Sequence, residues 1–155
     1  ALVHEQLYNT KNLSEIPFNH YLKSMLPKLF RSFGINGRVK WSLDVEPIDL
    51  NIETAIPCGL IMNELITNSV KHAFPKERSG HVAITMKRDG RDIVLTVSDN
   101  GIGIPSDIDV EYSESMGLKL VSLLSSQISG SVKWSSRSGT SCSIIFPPDL
   151  GNKSS

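Results

Sequence analysis

The residues with the most chemistry to offer lie between positions 64 and 140. Glu64, Asn68, Lys71 and His72 stand at i, i+4, i+7 and i+8, which on an α-helix gathers them within about a 100° arc. A carboxylate, an amide oxygen and a cation at that spacing suit phosphate oxygens and a hydrated Mg²⁺, an ion that keeps several waters and takes few protein ligands. The same stripe also reads as the solvent side of an amphipathic helix, and the residue types alone leave both readings open. Asp99-Asn100-Gly101-Ile102-Gly103-Ile104-Pro105 follows an alternating apolar segment. An aspartate at a strand end can accept a hydrogen bond from an exocyclic amine, and glycines let backbone pass close to a flat ring. Taken alone, Asp-Asn-Gly is equally an ordinary turn. Met116-Gly117-Leu118-Lys119-Leu120-Val121 sets a glycine at the opening of a helix, where backbone N–H groups bind phosphate well; a plain helix start has the same look. Gly139-Thr140 opens the last alternating segment and by itself is only a turn.

These residues need a scaffold, and the periodicity supplies one. Residues 1–9 read as the end of a helix, with Leu2, Val3 and Leu7 apolar, interrupted by Asn12, Ser14 and Pro17. A helix over 18–33 follows, carrying Leu22, Met25, Leu26, Leu29, Phe30 and Phe33 at the helical period. Pro27 is placed to kink it and Gly34 to end it. Val39, Trp41 and Leu43 alternate over 38–43, and a short strand is expected at 48–51. The helix over 54–74 presents Cys58, Ile61, Met62, Leu65, Ile66 and Ala73 as a wide apolar face and stops at Pro75. Strands over 82–88 and 93–98 meet at Asp89-Gly90, a strong hairpin signal. Residues 100–115 have no periodicity and read as a loop. A helix over 117–129, closed by Gly130, leads to a hairpin of 132–135 with 141–146 around Ser138-Gly139.

Helices followed by adjacent hairpins, rather than repeated parallel crossovers, predict an α+β fold. The expected form is a two-layer α/β sandwich: a mixed, largely antiparallel sheet with three main helices on one face. The expected division is a helix tail and linker at 1–15, one domain at 16–150, and a frayed tail at 151–155. Sixteen basic residues offset sixteen acidic ones, so no net field draws the chain to nucleic acid. Cys58 and Cys142 lack the paired spacing of zinc sites, and their low number fits a reducing, cytoplasmic setting. No apolar run reaches the ~20 residues of a membrane helix, although a longer protein can carry such a span upstream. A start at Ala1 reads as a processed or excised fragment.

The four motifs recur in one order with compatible spacing, and there the resemblance becomes specific. Residues 63–74, Asn63-Glu64-Leu65-Ile66-Thr67-Asn68-Ser69-Val70-Lys71-His72-Ala73-Phe74, resemble the asparagine box of the ATPase superfamily. DNA gyrase, the heat-shock chaperone of ninety kilodaltons, mismatch-repair ATPases and histidine kinases share that box. Residues 99–103 are similar to its first glycine box and 116–121 to its second, while Gly139-Thr140 resembles the strand-end threonine behind the adenine. The resemblance covers residues 36–147. It implies ATP and Mg²⁺ as ligands, with Asn68 on the metal and Lys71 at phosphate. His72 would lie near ribose or phosphates, and Asp99 would bond the adenine amino group. Gly101 and Gly103 would line the base pocket, Gly117 and Leu118 would meet the phosphate chain, and Thr140 would stand behind Asp99. Glu64 matches the position where hydrolysing relatives carry a water-activating carboxylate, so Glu64 and Lys71 are the expected catalytic pair. Residues 104–116 would form a lid. One departure is Ser115, which stands where the second box usually has a first glycine, and it bears on how the lid holds phosphate.

The segment from Glu53 to Pro75, with the lead-in His4-Glu5-Gln6-Leu7-Tyr8, resembles one group of two-component sensor histidine kinases. That likeness implies transfer of the ATP γ-phosphoryl group to a histidine on a separate dimerisation segment of the same kinase. It further implies a homodimeric full-length protein and a response regulator as the next acceptor. The alternative is an anti-sigma factor serine kinase of the same superfamily, which usually begins at its first strand and fits residues 1–33 poorly. His4 is the one histidine in the remnant helix, and the resemblance makes it structural, because the group's acceptor lies further upstream. His20 and His81 likewise fall in structural contexts.

Overall fold

The computed structural model describes residues 15–35, 37–74, 78–102, 116–136 and 138–148. Helix α1, Phe18–Ser32, turns Phe18, Tyr21, Leu22, Met25, Leu26, Leu29 and Phe30 inward, the face its apolar spacing predicts. Pro27 lies within it. Gly34 follows at a positive φ of 64°, a conformation that glycine adopts without a steric penalty. Just before α1, β1 (Ile16–Pro17) pairs antiparallel with β3 (Asp49–Leu50). The Phe18 amide donates to the Ile48 carbonyl at 2.9 Å. Phe30 stacks on Trp41 of β2 (Val39–Val45), with ring centroids 5.1 Å apart. Residues 16–33 therefore share one hydrophobic core with the sheet.

Helix α2, Ile52–Asn68, starts two residues earlier than the apolar spacing predicts, because Asn51 caps it. The Asn51 side-chain oxygen accepts the Thr54 N–H at 3.0 Å, an arrangement that satisfies one orphan donor of the first turn. The expected single helix to residue 74 does not hold. After Asn68 the chain widens into a π turn, Ser69–Ala73, and leaves helical geometry at Phe74 (φ −126°, ψ 63°). At its end the Ala73 and Phe74 carbonyls are taken by the Ile102 amide and the Arg38 guanidinium. Single π turns are uncommon and occur mostly within α-helices.

Five strands form the main sheet in the order β2-β4-β5-β7-β6, where β4 is Gly80–Asp89, β5 Asp92–Asp99, β6 Ser131–Ser135 and β7 Thr140–Phe146. Only the β2–β4 pair is parallel among the described strands, and α2 lies in its crossover. The β4–β5 hairpin turns at Gly90, at φ 63°, as Asp89-Gly90 predicts. Val82, Ile84, Met86, Ile93, Leu95, Val97, Cys142, Ile144 and Phe146 form one buried face beneath α1, α2 and α3 (Met116–Gln127). The opposite face is hydroxyl-rich, with Thr96 and Ser143 bonded side chain to side chain at 2.8 Å. The result is the two-layer sandwich with a mixed, largely antiparallel sheet.

Candidate functional site

Asp99 ends the central strand β5, paired with Val82 on one side and Thr140 on the other. It is a buried carboxylate, 9% exposed. Its Oδ1 accepts two backbone amides, Gly101 N–H at 3.0 Å and Thr140 N–H at 3.2 Å. These bonds hold the side chain in one orientation and leave Oδ2 as the oxygen neither amide engages. Gly139 lies directly behind. Its φ is 119°, and a β-carbon there would run into the Asp99 carbonyl. Sequence reasoning treated Gly139 as a turn residue, but the close approach of Asp99 requires it.

Gly101 packs against the end of the π turn, where a β-carbon would collide with the Ala73 carbonyl and side chain. The next amide, of Ile102, donates to the Ala73 carbonyl at 3.0 Å. Gly101 and Asp99 are thus fastened to the last turn of the helix that carries the polar stripe. Gly103 and residues 104–115 of the lid expected over 104–116 lie outside the described residues, as does His4.

At the other end of the stripe, the first turn of α3 rests on α2. A β-carbon on Gly117 would stand 2.8 Å from Glu64 Oε2 and 3.7 Å from both amide heteroatoms of Asn68. Glu64 and Asn68 are half-buried and face the start of a helix, the place where unpaired N–H groups and the helix dipole favour an anion. Leu118 follows on the same turn and is half-buried. Lys71 and His72 belong to the π turn and are exposed.

The two thiols are excluded from the chemistry by burial. Cys58 is held well above the usual thiol range, and Cys142, on β7, is pushed up to about 12. Both stay protonated near neutral pH and are poor nucleophiles. Among the described residues, no cluster of three or more His, Cys, Asp or Glu side chains is poised for a metal. Magnesium does not need one. An amide oxygen such as that of Asn68, with room for waters and substrate oxygens, matches its preferences. His20 is exposed on α1. His81 opens β4, its ring Nε2 is 2.8 Å from Ser42 Oγ, and its amide donates to Asn100 Oδ1 at 2.8 Å. Sequence reasoning passed over Asn100, Arg38 and Gly80. For Gly80, an isolated glycine at a strand start was the available signal of close packing; here a β-carbon would strike the Phe74 ring.

The chain is 32% identical over 107 residues to blue-light-activated histidine kinase 2 of Erythrobacter litoralis, a span of 68% of this chain and 31% of that protein. It is 28% identical over 136 residues to the sensor histidine kinase PdtaS of Mycobacterium tuberculosis, covering 85% and 26%. This chain therefore spans less than a third of the length of either relative. Its fold superposes on the histidine kinase domain of the Erythrobacter litoralis EL346 blue-light-activated kinase with a TM-score of 0.84 and 26% identity, covering 95% of this chain and 70% of that one. Residues 54–150, which hold all four motifs, match the family described as histidine kinase-, DNA gyrase B-, and HSP90-like ATPases. Motif order, sheet topology and sequence agree, and the chain belongs to that ATPase family.

Proposed function

We propose that this chain binds ATP with Mg²⁺ and transfers the γ-phosphoryl group to a histidine on a separate dimerisation segment of a sensor histidine kinase. The observation that carries this reading is Asp99, a buried carboxylate with one oxygen fixed by two amides and the other left to accept the adenine amino group. Thr140 acts in this arrangement through its backbone N–H, which orients the carboxylate. Gly101 keeps the wall of the base pocket thin, and Gly103 would line the same pocket. Asn68 would ligate Mg²⁺ through its amide oxygen, and the bound ion would neutralise phosphate charge. Gly117 and Leu118 would offer backbone amides to the phosphate chain, Lys71 would add a cation, and His72 would lie near ribose or phosphates. Glu64, against the Gly117 backbone, would accept a proton from the attacking group. Phosphoryl transfer of this kind depends mainly on positioning and electrostatics. The homologous histidine kinases support this assignment over an anti-sigma factor serine kinase. In the full-length protein the kinase would act as a cytoplasmic homodimer and pass the group to a response regulator.

The test is radiolabelling with ATP. The chain alone should take up no label, and an added dimerisation segment should gain an acid-labile, base-stable phosphate. Label on His4 would move the acceptor into this chain and refute the division of labour. Serine-linked label on an anti-anti-sigma protein would replace the reading with the serine-kinase alternative.

A further inference from the structure

The side chains of Arg38, Arg78 and Asn100 link the end of the proposed nucleotide helix to the strands beside Asp99. Arg38, just ahead of β2, sends Nη1 to the Phe74 carbonyl at 3.3 Å and to the Arg78 carbonyl at 2.8 Å. Its own carbonyl accepts the Gly80 amide at 3.0 Å. Arg78 in turn directs Nη2 to the Asn100 carbonyl at 3.4 Å. Asn100 is fastened to β4 by two bonds, its Oδ1 to the His81 amide at 2.8 Å and its own amide to the His81 carbonyl at 3.3 Å. Of the two carbonyls taken by Arg38, that of Phe74 lies at the end of the π turn, where helix C-terminal carbonyls carry partial negative charge and lack intrahelical donors. A guanidinium answers both needs, since its several N–H donors are fixed in a plane and its charge is permanent.

We propose that Arg38 is a positioning residue for base recognition: by holding the end of the nucleotide helix, it sets the depth at which Ala73 meets Gly101 and Ile102, and hence the shape of the pocket around Asp99. Asn100 completes the brace from the strand side. Arg38 and the helix end are 36 residues apart in sequence, so neither local propensity nor motif spacing fixes this geometry. The effect on adenine rests on the nucleotide reading given above; the brace itself does not.

The experiment compares wild type with Arg38→Lys and Arg38→Gln. Lysine keeps the charge, but its single ammonium on a differently shaped stem does not reproduce the planar fork. ADP affinity should fall about tenfold in Arg38→Gln, the order expected for losing a charged hydrogen bond, with a smaller loss in Arg38→Lys. Preference for ADP over GDP should narrow, whereas affinity for inorganic tripolyphosphate with Mg²⁺ should stay unchanged. That split separates positioning of the base from general loosening, which would lower all three together. Amide hydrogen exchange supplies the second arm, measured well below the melting temperature. Ile102 should exchange faster in both variants while Leu95 and Val97 keep wild-type protection. Unchanged Ile102 exchange overturns the brace, as does unchanged selectivity in folded variants. If the glutamine variant does not fold, the lysine variant decides both arms. Wild-type chain that binds no adenine nucleotide refutes the functional reading instead, and Ile102 exchange then judges the brace alone.

Discussion

Replacing Asp99 by asparagine places two incompatible demands on one amide. In the native site Oδ1 accepts from Gly101 N–H at 3.0 Å and from Thr140 N–H at 3.2 Å, and Oδ2 remains for the adenine amino group. An asparagine that keeps its oxygen toward the two backbone amides turns an NH₂ group toward another donor. An asparagine that flips serves adenine but points its NH₂ at Gly101 and Thr140. Either way one charged, buried hydrogen bond is lost and a donor faces a donor. Hydrogen bonds to charged groups contribute about 1.5–3 kcal/mol, so the dissociation constant for ADP should rise roughly tenfold to a hundredfold. The first orientation also presents a donor suited to a carbonyl, so the penalty for GDP should be smaller than for ADP. Calorimetric titration with both nucleotides measures this, with a thermal melt to confirm folding. A folded variant with wild-type ADP affinity would remove Asp99 from the base site, and equal losses for ADP and GDP would refute the hydrogen-bond argument.

Asn68→Ala should weaken ATP binding more in the presence of Mg²⁺ than in EDTA, because the amide oxygen is assigned to the metal; equal losses in the two titrations would make Asn68 a packing residue. Glu64→Gln keeps the shape that faces Gly117, so it should spare ATP affinity and lower phosphoryl transfer to an added acceptor segment, and a matching loss of affinity would contradict that role. Cys142 links burial to pH. Its folded-state value, about 12, lies above its ordinary value of 9.0, so the unfolded chain releases that proton first as pH rises. The resulting contribution to stability is complete below about pH 9 and is lost toward pH 12. Native protein should therefore resist thiol reagents at pH 8, and its melting temperature should fall above pH 9 by less in Cys142→Val than in wild type.

Much of the fold was legible because it depends on local signals. Asp89-Gly90 between two alternating segments fixes the β4–β5 hairpin, and the spacing of Leu22, Met25, Leu26, Leu29 and Phe30 gives the buried side of α1. The misjudged end of α2 shows where such signals stop. Apolar periodicity continues through Val70 and Ala73, both buried, so the pattern reads as uninterrupted α-helix. The partners that hold the end of the π turn come from far along the chain, Ile102 on the Ala73 carbonyl and Arg38 on the Phe74 carbonyl. Glycine roles divide in the same way. Gly90 announces itself by its neighbours, while Gly139 is required by the close Asp99 backbone and Gly117 leaves its space to the end of the Glu64 side chain. No local pattern encodes either approach.

The two ends of the candidate site rest on different physical supports, and this bears on how the domain works. The base end is built on the central strand, with Asp99 hydrogen-bonded to the start of β7 and backed by a glycine with no space for a side chain. The phosphate end is a helix–helix contact in which the first turn of α3 lies against Glu64 and Asn68. A strand flanked by two partners holds its end residue tightly. A helix start is held by its cap and by packing alone. Any displacement of Gly117 changes the space beside Glu64 directly, because no side chain lies between the α3 backbone and that carboxylate. Motion of α3 is therefore coupled sterically to the proposed catalytic carboxylate while leaving the hydrogen bonds of Asp99 intact. On the proposed reading, nucleotide would be held by its base before the phosphate end is set for transfer.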